Sequence, residues 1–260
     1  MSEVVVSGLS LTPVKGMRLV GVERVFLGLD GVRGNRRFFW IDERDRMLNG
    51  KQVGELQAVV ASYADDTRRL SMTFPDGHEV SAVVRPGASV VTRFFSRPRE
   101  AVLVNGPWAE AVSAYVGRPL RLVEAGPEGA VDRGVGGGAS LISRASLSRL
   151  GAVAGADGAL DARRFRMLIE VDGVAAHEED AWVGRRVSVG QAVVAVAGHV
   201  GRCLVTSRDP DTGAVDLPTL ELLGSYRSGL PCTEPLPFGV YGRVVAEGSV
   251  AVGDHVVVRG

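Results

Sequence analysis

Gly201-Arg202-Cys203-Leu204-Val205-Thr206-Ser207-Arg208-Asp209-Pro210-Asp211-Thr212-Gly213 is the most informative stretch of this 260-residue chain. It reads as a strand over 202–207 with a cysteine between cationic neighbours, running into a turn rich in Asp, Pro and Gly. Nearby arginines favour the thiolate, the form that binds soft metals. A lone cysteine on a strand is more often a small buried hydrophobe. On a regular strand Thr206, three residues on, would face away from Cys203.

Working outward, short β-branched segments dominate. Strands are expected at 4–11, 19–26, 37–42, 57–63 and 69–74, then at 165–171, 186–197, 240–246 and 255–259. Asp76-Gly77 predicts a hairpin with a type I′ turn, since Asp-Gly accepts positive φ. Pro107 opens a helix with Trp108, Ala111, Val112 and Tyr115 on one face, and Gly117 ends it. A short helix is expected over 143–150. A further one is capped by Asp216, with Leu220, Leu223 and Tyr226 along it. Many strands, few helices and no βαβ rhythm give a β-dominated α+β fold of two β-rich, barrel-like halves. The glycine-rich stretch 126–138 is the expected boundary, an irregular surface segment dividing residues 1–125 from 126–260.

Thirty basic side chains balance thirty acidic ones. A duplex-binding protein needs a basic face, so no nucleic-acid partner is expected. No apolar run is long enough to cross a bilayer, and no leader pattern opens the chain. A cytoplasmic protein with no membrane partner follows. The two cysteines, Cys203 and Cys232, are expected to stay unpaired in a reducing compartment. His78, His177, His199 and His255 lack metal-ligand spacing. His199, four residues before Cys203, reads as a loop histidine at the strand's entry.

The Cys203 segment resembles the signature of the MOSC family. Within that family the mitochondrial amidoxime-reducing components and their bacterial counterparts are similar in pattern. Other blocks agree in order: Glu179-Asp180-Ala181-Trp182, Tyr226-Arg227, Phe238-Gly239-Val240-Tyr241, and 248–254. Upstream, Thr12-Pro13-Val14-Lys15-Gly16 and Asn35-Arg36-Arg37-Phe38 resemble the β-barrel that precedes MOSC in such proteins. This chain departs from the pattern in having Arg166-Met167-Leu168 where relatives have Arg-Pro-Asn, and Asn35 where they have Asp.

The resemblance implies a molybdenum–pterin cofactor (molybdopterin) with Cys203 as the metal's thiolate ligand. It implies cofactor contacts from Lys15, Arg36, Arg166 and Arg202, and no need of pyridoxal phosphate. A guanidinium grips a phosphate with two parallel bonds, while lysine acts as a point charge. Asp209 either serves catalysis near the metal or simply closes an Asx-type turn. The implied activity is an oxidoreductase reducing N-hydroxylated or N-oxide small molecules. Lacking motifs for haem, iron–sulfur or flavin, it would take electrons from a ferredoxin, flavoprotein or cytochrome. Two alternatives stand beside it: a sulfur carrier with a Cys203 persulfide, or a scaffold that binds cofactor without turnover.

Overall fold

The computed structural model describes residues 3–95, 97–126 and 134–259. Most of the expected boundary segment lies outside them; of its remainder, Gly134–Gly137 is a 3-10 turn. The fold is β-dominated α+β, as expected.

The larger sheet has eight strands in the order Val256–Arg259, Arg186–Val189, Ala192–Gly201, Pro237–Ala246, Ala139–Ser143, Ile169–Asp172, Val5–Leu11, Val20–Gly21. All neighbours are antiparallel except Ala139–Ser143 with Ile169–Asp172. The N-terminal strands Val5–Leu11 and Val20–Gly21 are therefore built into a sheet made otherwise from the C-terminal half. A bridge between Val5 and His255 ties the first of them back to the far edge. The sheet thus curls towards closure, which covers edges that would otherwise be open. Alternation decides which face is inside: Ala192, Val194 and Val196 are buried together with Val187, Val240 and Val250.

The second core is formed by a five-stranded sheet containing Phe38–Ile41, Arg85–Phe94, Arg97–Asn105 and Arg121–Ala125. A three-stranded meander, Val60–Ala64, Arg69–Thr73 and Glu79–Val83, lies against it. Helix α1 (Trp108–Val116) seals this core, and Gly117 ends it in the left-handed conformation. Trp108 is fully buried and its indole N–H donates to the Leu70 carbonyl at 3.1 Å. Helix α2 (Arg144–Val153) is capped by Ser143. Helix α3 (Thr219–Arg227) packs beside it, its Leu223 in one apolar cluster with Phe165 and Phe238.

Several expectations are corrected. The stretch 186–197 is two strands, folded back at Gly190 with φ 54°. The hairpin at Asp76-Gly77 closes through Phe74 and His78, with Gly77 alone at positive φ. Pro75 has no N–H for a two-residue loop's closing pair, so the loop takes three residues, a type I turn plus a left-handed glycine. Asp216 does not cap α3; its carboxylate is held bidentate by Arg164 at 2.6 and 2.7 Å. The strand foreseen at 202–207 stops at Gly201, and Leu204–Ser207 is a 3-10 turn.

The loop that follows meets the second core at a backbone contact. A Cβ on Gly213 would lie 1.9 Å from the Gly54 carbonyl oxygen, and Gly213 has φ 74°. Gly155 has a similar φ of 72° but open space around it. Gly155→Ala should therefore cost about 1 kcal/mol, from backbone strain alone. Gly213→Ala should cost about 2 kcal/mol or more, because the loop must also move. Urea midpoints of the two variants check this; equal losses would mean the Gly54 contact is not tight.

Candidate functional site

Cys203 lies two residues beyond the strand register, where Gly201 pairs with Pro237. Arg202 fixes that exit. Its Nε donates to the Phe238 carbonyl and its Nη1 to the Phe165 carbonyl, both at 2.8 Å. Its plane also lies 5.4 Å from the Phe165 ring centroid. Cys203 follows in an extended conformation, φ −135° and ψ 173°. Its carbonyl accepts from the N–H and the hydroxyl of Thr206, both at 3.0 Å. The Thr206 carbonyl in turn accepts from the Thr219 hydroxyl at 2.7 Å, pinning the turn to α3. The result is an exposed, unbonded cysteine on a braced loop.

Cys203 opens into a cavity of about 260 Å³, and Lys15, Arg36, Arg166 and Arg202 line it too. Local pairing explains why residues so distant in sequence meet. Segments 12–16 and 35–38 are zipped together: Arg36 N–H donates to Thr12, Phe38 N–H to Pro13, and Lys15 N–H to Phe38. Lys15 is buried, its ammonium 5.4 Å from the Phe94 ring centroid and 5.7 Å from that of Phe95. Arg36 Nη2 donates to the Arg166 carbonyl, and Arg166 Nη2 to the Met17 carbonyl, both at 2.7 Å. Both arginines have left-handed backbones, φ 49° and 56°, a conformation rare outside glycine and often found at functional sites.

Three sequence readings change here. Thr206 lines the same cavity as Cys203, because the turn replaces strand parity. Arg202 reaches the cavity, yet its guanidinium is engaged with backbone carbonyls and acts as the clamp of the Cys203 loop. Asp209 does not line the cavity. Its Oδ1 accepts from Asp211 N–H, Thr212 N–H and the Thr212 hydroxyl, the Asx-type turn. Partial burial works to raise the Asp209 pKa, but these hydrogen bonds outweigh it and the net shift is downward. A carboxylate so occupied is a poor proton relay.

The sequence reading missed Asn49, Lys51, Phe95 and Tyr241 on the cavity wall. Tyr241 sits in a block already singled out; the others carry no periodic or spacing signal. His199 is buried behind the wall, its Nδ1 3.3 Å from the Thr233 hydroxyl. Among the described residues no three His, Cys, Asp or Glu side chains cluster as a metal site. A metal at Cys203 would need further donors from a bound ligand.

Residues 132–257 match the sequence model of the MOSC domain. This stretch resembles a MOSC domain. Mitochondrial amidoxime reducing component 2 of Bos taurus is 39% identical over 99 residues, which is 35% of this chain and 29% of that protein. Mitochondrial amidoxime-reducing component 1 of Mus musculus is 35% identical over 105 residues, 38% of this chain and 30% of that protein. The matched stretch spans under a third of these relatives. Among solved structures, the YUAD protein from Bacillus subtilis superposes with a TM-score of 0.47 at 12% identity, over 99% of this chain and 96% of that one. That likeness is too loose to carry an argument about the site.

His177 packs against Tyr226 and Phe238, with both ring nitrogens buried and unpartnered. Burial, aided by the Arg227 and Arg149 charges, lowers its pKa from 6.5 to about 4 against the pull of Asp180. The unfolded chain therefore binds the extra proton first as pH falls. Stability is expected to fall from about pH 6.5 down to about pH 4 and then to show no further loss from this group. His177→Asn tolerates the left-handed φ of 65° and should flatten that limb of the profile. Denaturant midpoints of parent and variant across this pH range test it; parallel profiles would assign the acid loss elsewhere.

Proposed function

We propose that this chain is a molybdenum-cofactor-dependent oxidoreductase that reduces N-hydroxylated or N-oxide substrates, with Cys203 as the thiolate ligand. The MOSC-domain match and the amidoxime-reducing relatives support the broader class. The single observation behind the finer reading is the placement of an exposed Cys203 in one cavity with Lys15, Arg36 and Arg166. That donor set fits the cofactor: one soft sulfur for the metal, and cations from three separate segments for the pterin phosphate. When bound, the molybdenum–pterin group supplies two-electron redox chemistry that no side chain provides.

The protein's own contribution is placement. Arg202 and Thr206 hold the Cys203 loop from opposite sides, so the sulfur is presented without a long flexible reach. Arg36 and Arg166 fix each other through a backbone carbonyl and keep their charge at the cavity. Buried Lys15 adds a third charge from the opposite core. Reduction of an N-hydroxyl group to N–H, or of an N-oxide to the amine, releases water and consumes two electrons and two protons, so an external donor is required. We assign that part to a ferredoxin, flavoprotein or cytochrome. No helix among the described residues is long and apolar enough to cross a membrane; a cytoplasmic setting is part of the proposal. So is a division into residues 1–125 and 126–260, with strand Val5–Leu11 lent by the first to the sheet of the second.

Cys203→Ser keeps the side chain's size but removes the soft ligand. The variant should fold, with reductase activity lowered roughly a hundredfold or more. Cys232→Ser should match the parent, since Cys232 does not line the cavity and burial raises its thiol pKa. Both are assayed with a reduced dye and an amidoxime or N-oxide, alongside elemental analysis for molybdenum. Full activity in Cys203→Ser would sink the ligand assignment. Metal-free parent protein carrying a sulfane sulfur on Cys203 would favour the carrier reading.

A further inference from the structure

A second recess of about 290 Å³ adjoins the Cys203 cavity, lined by Arg46, Met47, Asn49, Gln52, Arg93 and Phe95. Asn49 and Phe95 line both spaces, so the two recesses share the wall that these side chains form. Arg46 and Arg93 are set side by side by the backbone: the two residues form a parallel bridge, and Arg93 N–H donates to the Asp45 carbonyl at 2.7 Å. Among the described residues neither guanidinium has a hydrogen bond or ion pair. The acids of the same turn are turned to other tasks. Asp42 Oδ1 accepts from the Arg44 and Arg46 N–H groups, and Asp45 Oδ1 from Arg121. Glu43 does not line the recess.

Two like charges held adjacent without a counter-ion repel each other, and an anion between them removes that cost. Phe95 supplies the other half of the recess. It is half-exposed and held at φ 54°, an uncommon conformation for a bulky residue, at the end of strand Arg85–Phe94. Its ring forms a wall that is apolar and flat, suited to a planar body rather than to a bare ion.

We propose that this recess anchors the far end of the substrate, and that the end it selects is an aromatic or heteroaromatic ring bearing a carboxylate or phosphate. Arg46 and Arg93 pair with the anion, Phe95 covers the ring, and the reactive end of the molecule projects past Phe95 towards Cys203. The assignment rests on the reading of the Cys203 cavity as the reaction site, but the recess itself can be tested without turnover.

The full-length protein is titrated at low salt with phenyl phosphate, benzoate, inorganic phosphate and benzyl alcohol, following backbone amide shifts by NMR. Phenyl phosphate or benzoate should saturate, with shifts centred on Arg46, Arg93 and Phe95; the tighter of the two identifies the anion. Arg46→Gln with Arg93→Gln should weaken that binding roughly tenfold or more. Both surface arginines can be exchanged without opening a core, and the amide spectrum verifies the fold. Benzyl alcohol should respond to neither change. Equal affinity in parent and double variant, or shifts centred on Lys15, Arg36 and Arg166, would overturn the assignment. Inorganic phosphate binding as tightly as phenyl phosphate would remove the aromatic part of it. Molybdenum content separates this from the cofactor reading. The double variant should retain the parent's molybdenum, whereas loss of metal would make the arginines cofactor contacts and overturn the substrate role.

Discussion

Three arginines gathered at one cavity repel one another, and backbone carbonyls are what hold them there. Arg36 donates to the Arg166 carbonyl, Arg166 to the Met17 carbonyl, and Arg202 to those of Phe165 and Phe238. A carbonyl dipole accepts a hydrogen bond without itself removing the donor's charge. The geometry has a backbone cost. Arg36 and Arg166 both adopt left-handed conformations, which side chains disfavour by roughly 1–2 kcal/mol each.

Such a cavity survives only if its walls are held in register, and two contacts between distant segments do this. On one side the zipped pair 12–16 and 35–38 carries Lys15 and Arg36. On the other, the loop after Cys203 docks on residues 51–57. Arg208 donates to its own loop at Gly213 and to the Lys51 carbonyl, while Gly213 lies against Gly54. Asp211 extends the same seam, accepting from Arg163 at 2.8 and 2.9 Å and pairing with Arg18. These ion pairs are partly solvated, so they count more for register than for stability. The Asp-Pro-Asp-Thr-Gly turn is thus a docking element, whose side chains are occupied with holding the loop.

That reassignment marks what the sequence could and could not disclose. Alternation along Ala192–Gly201 and the turn residues made the β-rich fold readable, and the order of short blocks brought Lys15, Arg36, Arg166 and Cys203 into one hypothesis. Local reading failed where a distant group decided the outcome. The strand ends at Gly201 as the chain passes to Arg202, which is anchored to carbonyls 36 and 37 residues away in sequence. With the strand gone, so is the parity that put Thr206 on the opposite face. Asp216 had the chemistry of a cap, but Arg164 offered it a bidentate partner 52 residues away. Asn49 and Phe95 reach the cavity from a turn and a strand end, where no periodicity announces them.

Motif residues therefore divide by what their side chains do in three dimensions. Glu179 is fully buried and accepts from Ser143 N–H and the Ser146 hydroxyl, which fixes the start of α2; burial raises its pKa despite those bonds. Arg227, also buried, joins Asp180 to the Pro237 carbonyl and so locks α3 onto the strand that pairs with Gly201. Both residues match family blocks, and neither lines the cavity. They brace the wall from which Cys203 projects, as Arg202 does from closer in. Removing one partner of such a buried pair leaves an uncompensated charge in the wall itself. Loss of function at these positions would then arise through a displaced Cys203, by a route distinct from loss of the thiol or of the cations facing it.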